Sequence, residues 1–481
     1  MKFDASKTAR QIQSIEKVEK NNGIGCIVAC MQFGKTKIGT MYIERVRHQD
    51  AKYPIIVLTP SDIVRRQWDK QVNTDKVLIL TINKAKDLLS ELLKVSAFAL
   101  LVVDEIHKFT TDQNIEVLKG LSGISKRRLG LTGTYPNNYT ISNLFPIVDR
   151  ISETEALENN WISQFSEYNI PVSLTAEEKI KYIKFSKPIQ ETMELFRGKA
   201  RQLDPKHQAV RDDLDLIYSC YSGKKIRNVG YIHGERFRNG LAKLMGWSNN
   251  MDLTTEYNQQ REQYWSPNNL YERCKQFKQF VERRNELLIN NENKLKIIQE
   301  IIETNDVPTI IFNESTEFVN TIADELGDKA IPYHSNIKSR PMIDKETGQV
   351  IKFKTGKVKM FGPVTLKNMA IEGIKSGEYK YLVTAKALDE GLNLPELEQV
   401  IITAGSSNPI QQLQRSGRAK AIDENNLSKI TRIFNLYIDD FIDETGETIK
   451  SRDKSKLVER QKSYSHPVKW INDLSELDHA N

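Results

Sequence analysis

Short apolar runs in the first third of the chain constrain its fold more than any other feature. They are GIGCIVAC, PIIVLTP, VLILTI, FALLVVDE and RRLGLTGT. Each has an aliphatic or β-branched core of about 4 to 8 residues bounded by polar or turn residues. A strand that is apolar at consecutive positions must be buried on both faces, and that is the state of a parallel sheet covered by helices. Amphipathic stretches such as SDIVRRQWDKQV and NIEVLKGL separate the runs. The alternation predicts an α/β fold with a doubly wound parallel sheet.

The same texture returns after about residue 290. KLKIIQEIIE reads as a helix, and VPTIIFNES, KYLVTAK, LEQVIITAG and TRIFNLYI read as strands. Between the two lobes, long charged segments with helical periodicity predict a mostly helical insertion. The expected division is an N-terminal α/β lobe over 1–175, a helical insertion or linker over 176–290, a second α/β lobe over 291–445 and a charged tail over 446–481. Within the second lobe, about 343–362 reads as a hairpin or mobile loop, because ETG and KTGK supply turn residues.

With 481 residues there is room for two or three domains. No apolar run approaches the roughly 20 residues of a membrane helix, and the early lysines precede no apolar signal core. The reading is a cytoplasmic protein, nucleoplasmic in a eukaryotic host. Cys26, Cys30, Cys220 and Cys274 lack the spacing of a zinc site and read as thiols. A net charge of +7, spread among 63 acids, is compatible with a phosphate-tracking groove without requiring one.

Two junctions carry chemistry. At the first, GIGCIVAC runs into an amphipathic helix through Gly34-Lys35-Thr36. Backbone N–H groups at a helix start cradle phosphates, lysine reaches the β and γ phosphates, and the threonine hydroxyl suits Mg²⁺. ATP and Mg²⁺ are therefore the expected cofactors. At the second, FALLVVDEIHKF places Asp104 and Glu105 at the carboxyl end of a buried strand, where ligands bind in such sheets. Asp104 is expected to hold Mg²⁺ through water, Glu105 to activate the attacking water, and His107 to couple the site to the other lobe.

With Lys35 followed by Asp104, the chain resembles superfamily 2 helicases and translocases of the DExH type over about residues 8–445. The resemblance implies two RecA-like lobes. Arg10-Gln11-Ile12-Gln13 is similar to the adenine-reading glutamine motif, with Gln13 the candidate. AlaCysMetGlnPheGlyLysThr is similar to motif I, so Gln32, Phe33, Gly34, Lys35 and Thr36 are expected at the nucleotide. VLTPSDIVRRQW, with Pro60, Ser61, Gln67 and Trp68, resembles motif Ia, and Thr81 stands in motif Ib. Thr132-Gly133-Thr134 resembles motif III, where Thr132 and Thr134 link hydrolysis to lobe movement. TIIFNEST resembles motif IV and VTAKALDEGLNLPELEQVI motif V, with Thr384 and Gly391. QLQRSGRAKA resembles motif VI, with Gln414, Arg415, Gly417 and Arg418 in place.

The family's last motif VI arginine is replaced by Ala421. Such an arginine can supply several orders of magnitude in rate. Three readings stand: Arg418 suffices, Arg415 or Lys420 compensates, or hydrolysis is slow and the protein is an ATP-gated clamp. If the finger is absent, Ala421→Arg should raise the rate.

The resemblance implies an ATP-dependent DNA helicase or translocase in replication, recombination or repair, stimulated by nucleic acid. It also implies a monomer with replication or recombination proteins as partners and no membrane contact. An RNA helicase and the motor subunit of a restriction or packaging machine are the alternatives. Strand contacts are expected at Pro60, Ser61, Arg65, Thr81, Asn313 and Thr384. The insertion (Arg197, Lys199, Arg201, Lys206, Arg211, Lys224, Lys225, Arg227, with Tyr218, Tyr221, Tyr231 and Phe237) suits either a strand surface or a solvated helical face. The hairpin lysines Lys345, Lys352, Lys354, Lys357 and Lys359 suit either a strand guide or a surface loop.

Overall fold

The computed structural model describes residues 2–198 except 73 and 74, the pairs 213–214, 217–218, 225–226 and 230–231, and 267–477. From the last range it omits 343–346, 348, 354, 386–393, 395, 405–414, 416, 418, 423–425, 427, 463 and 465.

The first lobe is a six-stranded parallel sheet. Its strands are β1 (Ile24–Ala29), β2 (Ile55–Thr59), β3 (Val77–Thr81), β4 (Leu100–Asp104), β5 (Arg128–Thr132) and β6 (Ile147–Ile151), in the order β3-β2-β4-β5-β1-β6. Every residue of β2 and β4 is buried, as runs without alternation predict. Successive side chains feed opposite cores. Ile27, Val57, Val102 and Leu131 meet Ile38, Tyr42, Val46 and Trp68 on one face, while Cys26, Ile56, Leu101 and Val103 meet Leu118, Leu121 and Phe145 on the other. The apolar-run reading missed β6, because IVDRI carries two charges. Asp149 is buried only because Arg10 (2.6 Å), Lys17 (2.5 Å) and Ser14 (2.7 Å) satisfy it from helix α1 (Lys2–Lys20).

The second sheet has seven strands. They are β7 (Gln164–Val172), β8 (Thr309–Asn313), β9 (Ala330–Tyr333), β10 (Tyr381–Ala385), β11 (Gln399–Ile402), β12 (Ile430–Ile438) and β13 (Lys469–Trp470). Their order is β9-β10-β8-β11-β12-β7-β13. The two strands at one edge come from outside the expected lobe. β7 precedes the insertion in sequence, and β13 belongs to the tail and pairs with β7 at Tyr168 and Asn169.

The chain forms two compact units. One comprises Met1–Val172, Lys294–Tyr437 and Arg452–Asn481, and so contains both sheets; the other comprises Ser173–Asn293 and Ile438–Ser451. In the second unit, helix Ala176–Phe196 starts at a capping box made by Thr175 and Glu178 and packs on helix Pro267–Ile289. Phe185 meets Phe280, and Tyr218 sets its edge on Phe277 at 6.0 Å, so Tyr218 serves this packing. Lys199, Arg201, Lys206, Arg211, Tyr221, Lys224, Arg227 and Phe237 lie outside the described residues.

The expected hairpin is antiparallel. Arg340–Pro341 pairs with Met360–Phe361, Lys352 bridges Val358, and Gly356 turns the chain at φ +79°. Lys345 and Lys354 lie outside the described residues. Among the described residues no helix is long and apolar enough to cross a membrane, and Cys26, Cys30 and Cys274 are free thiols.

Candidate active site

The carboxyl ends of β1, β4 and β5 stand side by side, with Val28 opposite Thr132 and Asp104 opposite Leu131. Three short loops leave this rim, and each carries a motif. After β1 the chain runs through Gln32 at φ +63° and Gly34 at φ +96° into helix α2 (Lys35–Gln49). Gly34 is required twice over: its φ is left-handed, and a methyl group there would meet Gln11 Nε2 at 2.7 Å. No side chain caps this helix start, which leaves its first turn open to a phosphate.

Lys35 Nζ lies 3.7 Å from Glu105 Oε1. Glu105 itself sits at φ +49°, a left-handed kink directly after β4 that turns its carboxylate toward the lysine. Asp104 Oδ1 accepts from the Glu105 N–H at 2.9 Å, and Oδ2 accepts from the Trp68 indole at 2.8 Å. Burial, then the neighbouring Glu105, pushes Asp104 above the usual carboxylate range. Glu105 is partly buried, which would raise it, yet the Lys35 ammonium and then His107 hold it below that range. The two adjacent carboxylates are thereby set apart, with Glu105 the stronger acid.

His107 Nδ1 lies 2.9 Å from Thr132 Oγ1 and 3.3 Å from Glu105 Oε2. The Thr132 hydroxyl donates to Thr134 O at 2.7 Å, so Nδ1 carries the proton that Thr132 accepts. The three residues expected to couple motifs II and III are brought together.

Other sequence candidates occupy places their motifs do not advertise. Gln13 is exposed on α1. Gln11 is buried instead, donates to Phe33 O at 2.8 Å and has its Oε1 acceptor unmatched. A helix alternates its faces within two residues, so only the packed side of α1 decides which glutamine faces the loop. Phe33 offers the site its carbonyl alone; its ring is buried edge-on against Trp161 at 5.4 Å. Gln32 Nε2 donates to Gly417 O at 3.1 Å. Thr36 lies in the first turn of α2 and is partly exposed.

Trp68, at the motif Ia position, is fully buried and holds Asp104. Ser61 caps helix α3 (Asp62–Gln71), and Thr81 caps helix Ile82–Asp87, so both sit at the rim beside partly exposed Pro60. Arg65 spends its charge on Asp62 (3.1 Å) and Asp69 (2.6 Å). Asn313 and Thr384, expected at the strand, are fully buried. Asn313 donates to Thr403 Oγ1 at 2.6 Å, a bond between strands. Arg415 is also buried, donates to Ala404 O at 3.1 Å and lies over Phe312 at 5.6 Å, so it packs within the second lobe. Gln414, Arg418 and Gly391 lie outside the described residues.

The chain matches the helicase conserved C-terminal domain over residues 293–422. It is 20% identical over 415 residues to the DNA 3'-5' translocase XPB2 of Sulfurisphaera tokodaii, covering 82% of this chain and 74% of that protein. Both likenesses are to helicases and translocases, the first confined to the second lobe and the second spread over most of the chain. The fold agrees. S. cerevisiae Dbp5 bound to RNA and ADP BeF3 superposes with a TM-score of 0.50 at 12% identity, covering 96% of this chain and 89% of that one. The Pyrococcus furiosus Hef helicase domain gives a TM-score of 0.46 at 17% identity, covering 93% of this chain and 98% of that one. The expected class, two RecA-like parallel-sheet lobes with helices, is the one found.

Proposed function

We propose that this superfamily 2 protein is a Mg²⁺-dependent ATPase, stimulated by nucleic acid, that moves along or remodels DNA. The observation that carries the reading is the Lys35–Glu105–His107–Thr132 chain on one sheet rim, with an uncapped helix start beside it. The uncapped start of α2 would present backbone N–H groups to phosphate oxygens, and Lys35 would neutralise charge at the β and γ positions. Thr36 and Asp104 would hold Mg²⁺, which supplies charge neutralisation of the phosphates. Glu105, kept anionic, orients and deprotonates the attacking water. The buried, unmatched Oε1 of Gln11 suits an exocyclic amine such as that of adenine. His107 passes the state of this site to Thr132 and Thr134.

The named DNA translocase among its relatives favours DNA over RNA. Strand contacts fall to the rim loops around Pro60, Ser61 and Thr81, which would bind phosphates without regard to sequence. The test is steady-state hydrolysis by the full chain with Mg²⁺, alone and with single-stranded DNA, duplex DNA or RNA. Stimulation by DNA is expected, together with loss of hydrolysis in Lys35→Ala and Glu105→Gln. No hydrolysis under any condition refutes the ATPase reading; stimulation by RNA alone refutes the DNA reading.

A further inference from the structure

Lys420 carries its charge into the interior: its side chain is 1% exposed. Nζ lies 2.6 Å from Glu153 Oε1 and 3.6 Å from the centre of the Phe165 ring. Glu153 opens helix Glu153–Glu158, whose Ala156 packs in a core of the first lobe, so the pair joins motif VI to that lobe. The backbone around Lys420 is tied the same way. The Ser163 N–H donates to Lys420 O at 3.0 Å, and the Ser163 hydroxyl donates to Ala421 O at 2.7 Å. From the phosphate loop, Gln32 Nε2 reaches Gly417 O, and the Cys30 N–H donates to Ile151 O, two residues before Glu153. Lys429 Nζ closes the inner side on Ala419 O (2.9 Å) and Ala421 O (2.6 Å).

The other oxygen of Glu153 is also engaged. Oε2 lies 3.0 Å from His466 Nδ1, and His466 Nε2 lies 2.7 Å from Glu167 Oε2 on β7. Ion pairs this deeply buried are weak devices for stability alone, and their best-attested gain is a fixed register between elements. Here the elements are the phosphate loop and the residues Gly417, Ala419, Lys420 and Ala421. The ammonium is turned to a carboxylate behind the loop and is not available as a mobile finger.

We infer that Lys420 is a positioning residue: paired with Glu153, it locks motif VI in register with the phosphate loop and does not itself act on the nucleotide. The inference rests on the proposed ATPase activity and accounts for Ala421. The segment that ends at Ala421 is a fixed tie in this chain, and Ala421 contributes a carbonyl to it.

The test compares wild type, Glu153→Gln, Lys420→Met, their double variant and the charge-reversed pair Glu153→Lys with Lys420→Glu. Turnover is measured alongside the affinity for a fluorescent ATP analogue. Each single variant should lower kcat by about 10-fold to 100-fold, the loss expected when reacting groups are misplaced by about 1 Å. Affinity should stay within about 3-fold, because Lys35 and its loop are untouched. The double variant should be no worse than either single, and the charge-reversed pair should regain part of the lost turnover. Ser163→Ala, which removes one hydrogen bond and no charge, should lower kcat less, and it serves if the charge variants fail to fold. A Glu153→Gln enzyme with wild-type kcat beside an inactive Lys420→Met enzyme would mean that Lys420 acts on the nucleotide, and overturns the inference. Additive losses in the double variant, or wild-type turnover in Ser163→Ala, overturn it as well. A wild-type protein that hydrolyses no ATP sinks the ATPase reading itself and takes this one with it.

Discussion

Gly39 lies inside α2 where the Trp68 ring crosses the helix. A methyl group at Gly39 would overlap Trp68 Cη2 and lie 3.2 Å from Cζ3 and 3.1 Å from Leu131 Cδ1. Overpacking of this kind costs about 1–3 kcal/mol. If the indole swings aside to make room, its bond to the Asp104 carboxylate goes too, and hydrogen bonds to charged groups contribute about 1.5–3 kcal/mol. Replacing glycine by alanine in a helix interior returns about 1 kcal/mol. Gly39→Ala should therefore destabilise the first lobe by about 2–4 kcal/mol, a fall in Tm of roughly 5–15 °C for a lobe of this size. It should also slow Mg²⁺-dependent hydrolysis, because Asp104 loses the contact that orients it. Trp68→Phe removes both the donor and the atoms in the way. In that background only the 3.1 Å contact with Leu131 Cδ1 remains, and Gly39→Ala should cost at most about 1 kcal/mol. Scanning calorimetry of wild type, the two single variants and the double variant makes the comparison. An equal fall in Tm from Gly39→Ala in both backgrounds would refute the reasoning, since the penalty would then owe nothing to Trp68.

Gln11→Ala should raise the KM for ATP about 10-fold while Gln13→Ala leaves it unchanged, because only Gln11 reaches the phosphate loop; equal effects in a KM comparison would contradict the assignment. Ala421 is 4% exposed, with its carbonyl held by Ser163 and Lys429, so Ala421→Arg should lower Tm and fail to raise turnover, and a faster enzyme would show that an arginine there can reach the nucleotide. Glu153, despite its burial, is held down at about 2 by His466 and Lys420. A depressed carboxylate stabilises the fold above its unfolded value of 4.5 and loses that contribution as pH falls toward 2, on the order of 3 kcal/mol in all. The gap in Tm between wild type and Glu153→Gln should therefore narrow as pH drops below about 4.5, and a constant gap would remove this source of acid sensitivity. His466 contributes with the opposite sign: burial lowers its pKa, but Glu153 and Glu167 raise it overall, so its contribution is complete below 6.5 and fades as pH rises through the folded value.

Local chemistry made much of this protein legible from its sequence. Runs such as FALLVVDE and PIIVLTP can be satisfied only in a sheet buried on both faces, so the two α/β lobes followed from composition along the chain. Gly34, Lys35, Asp104 and Glu105 were legible because each stands at a strand end, where the topology of a parallel sheet gathers ligands. β6 was not legible, since its buried Asp149 is tolerable only against particular partners, and β13 was not, since two exposed residues carry no strand pattern.

What the sequence by itself determined, then, is the kind of fold and the residues at its strand ends. Tertiary structure alone decided which way the remaining side chains face. It chose Gln11 over Gln13, sent Asn313, Thr384 and Arg415 into the core, and moved β7 into the second sheet. It also joined Glu153, Lys420 and His466, which lie hundreds of residues apart in pairs or dozens at least. The physical reason is the same in each case. A backbone's local preferences set its conformation, but the direction and charge state of a polar side chain depend on what is packed against it, and those partners come from distant parts of the chain.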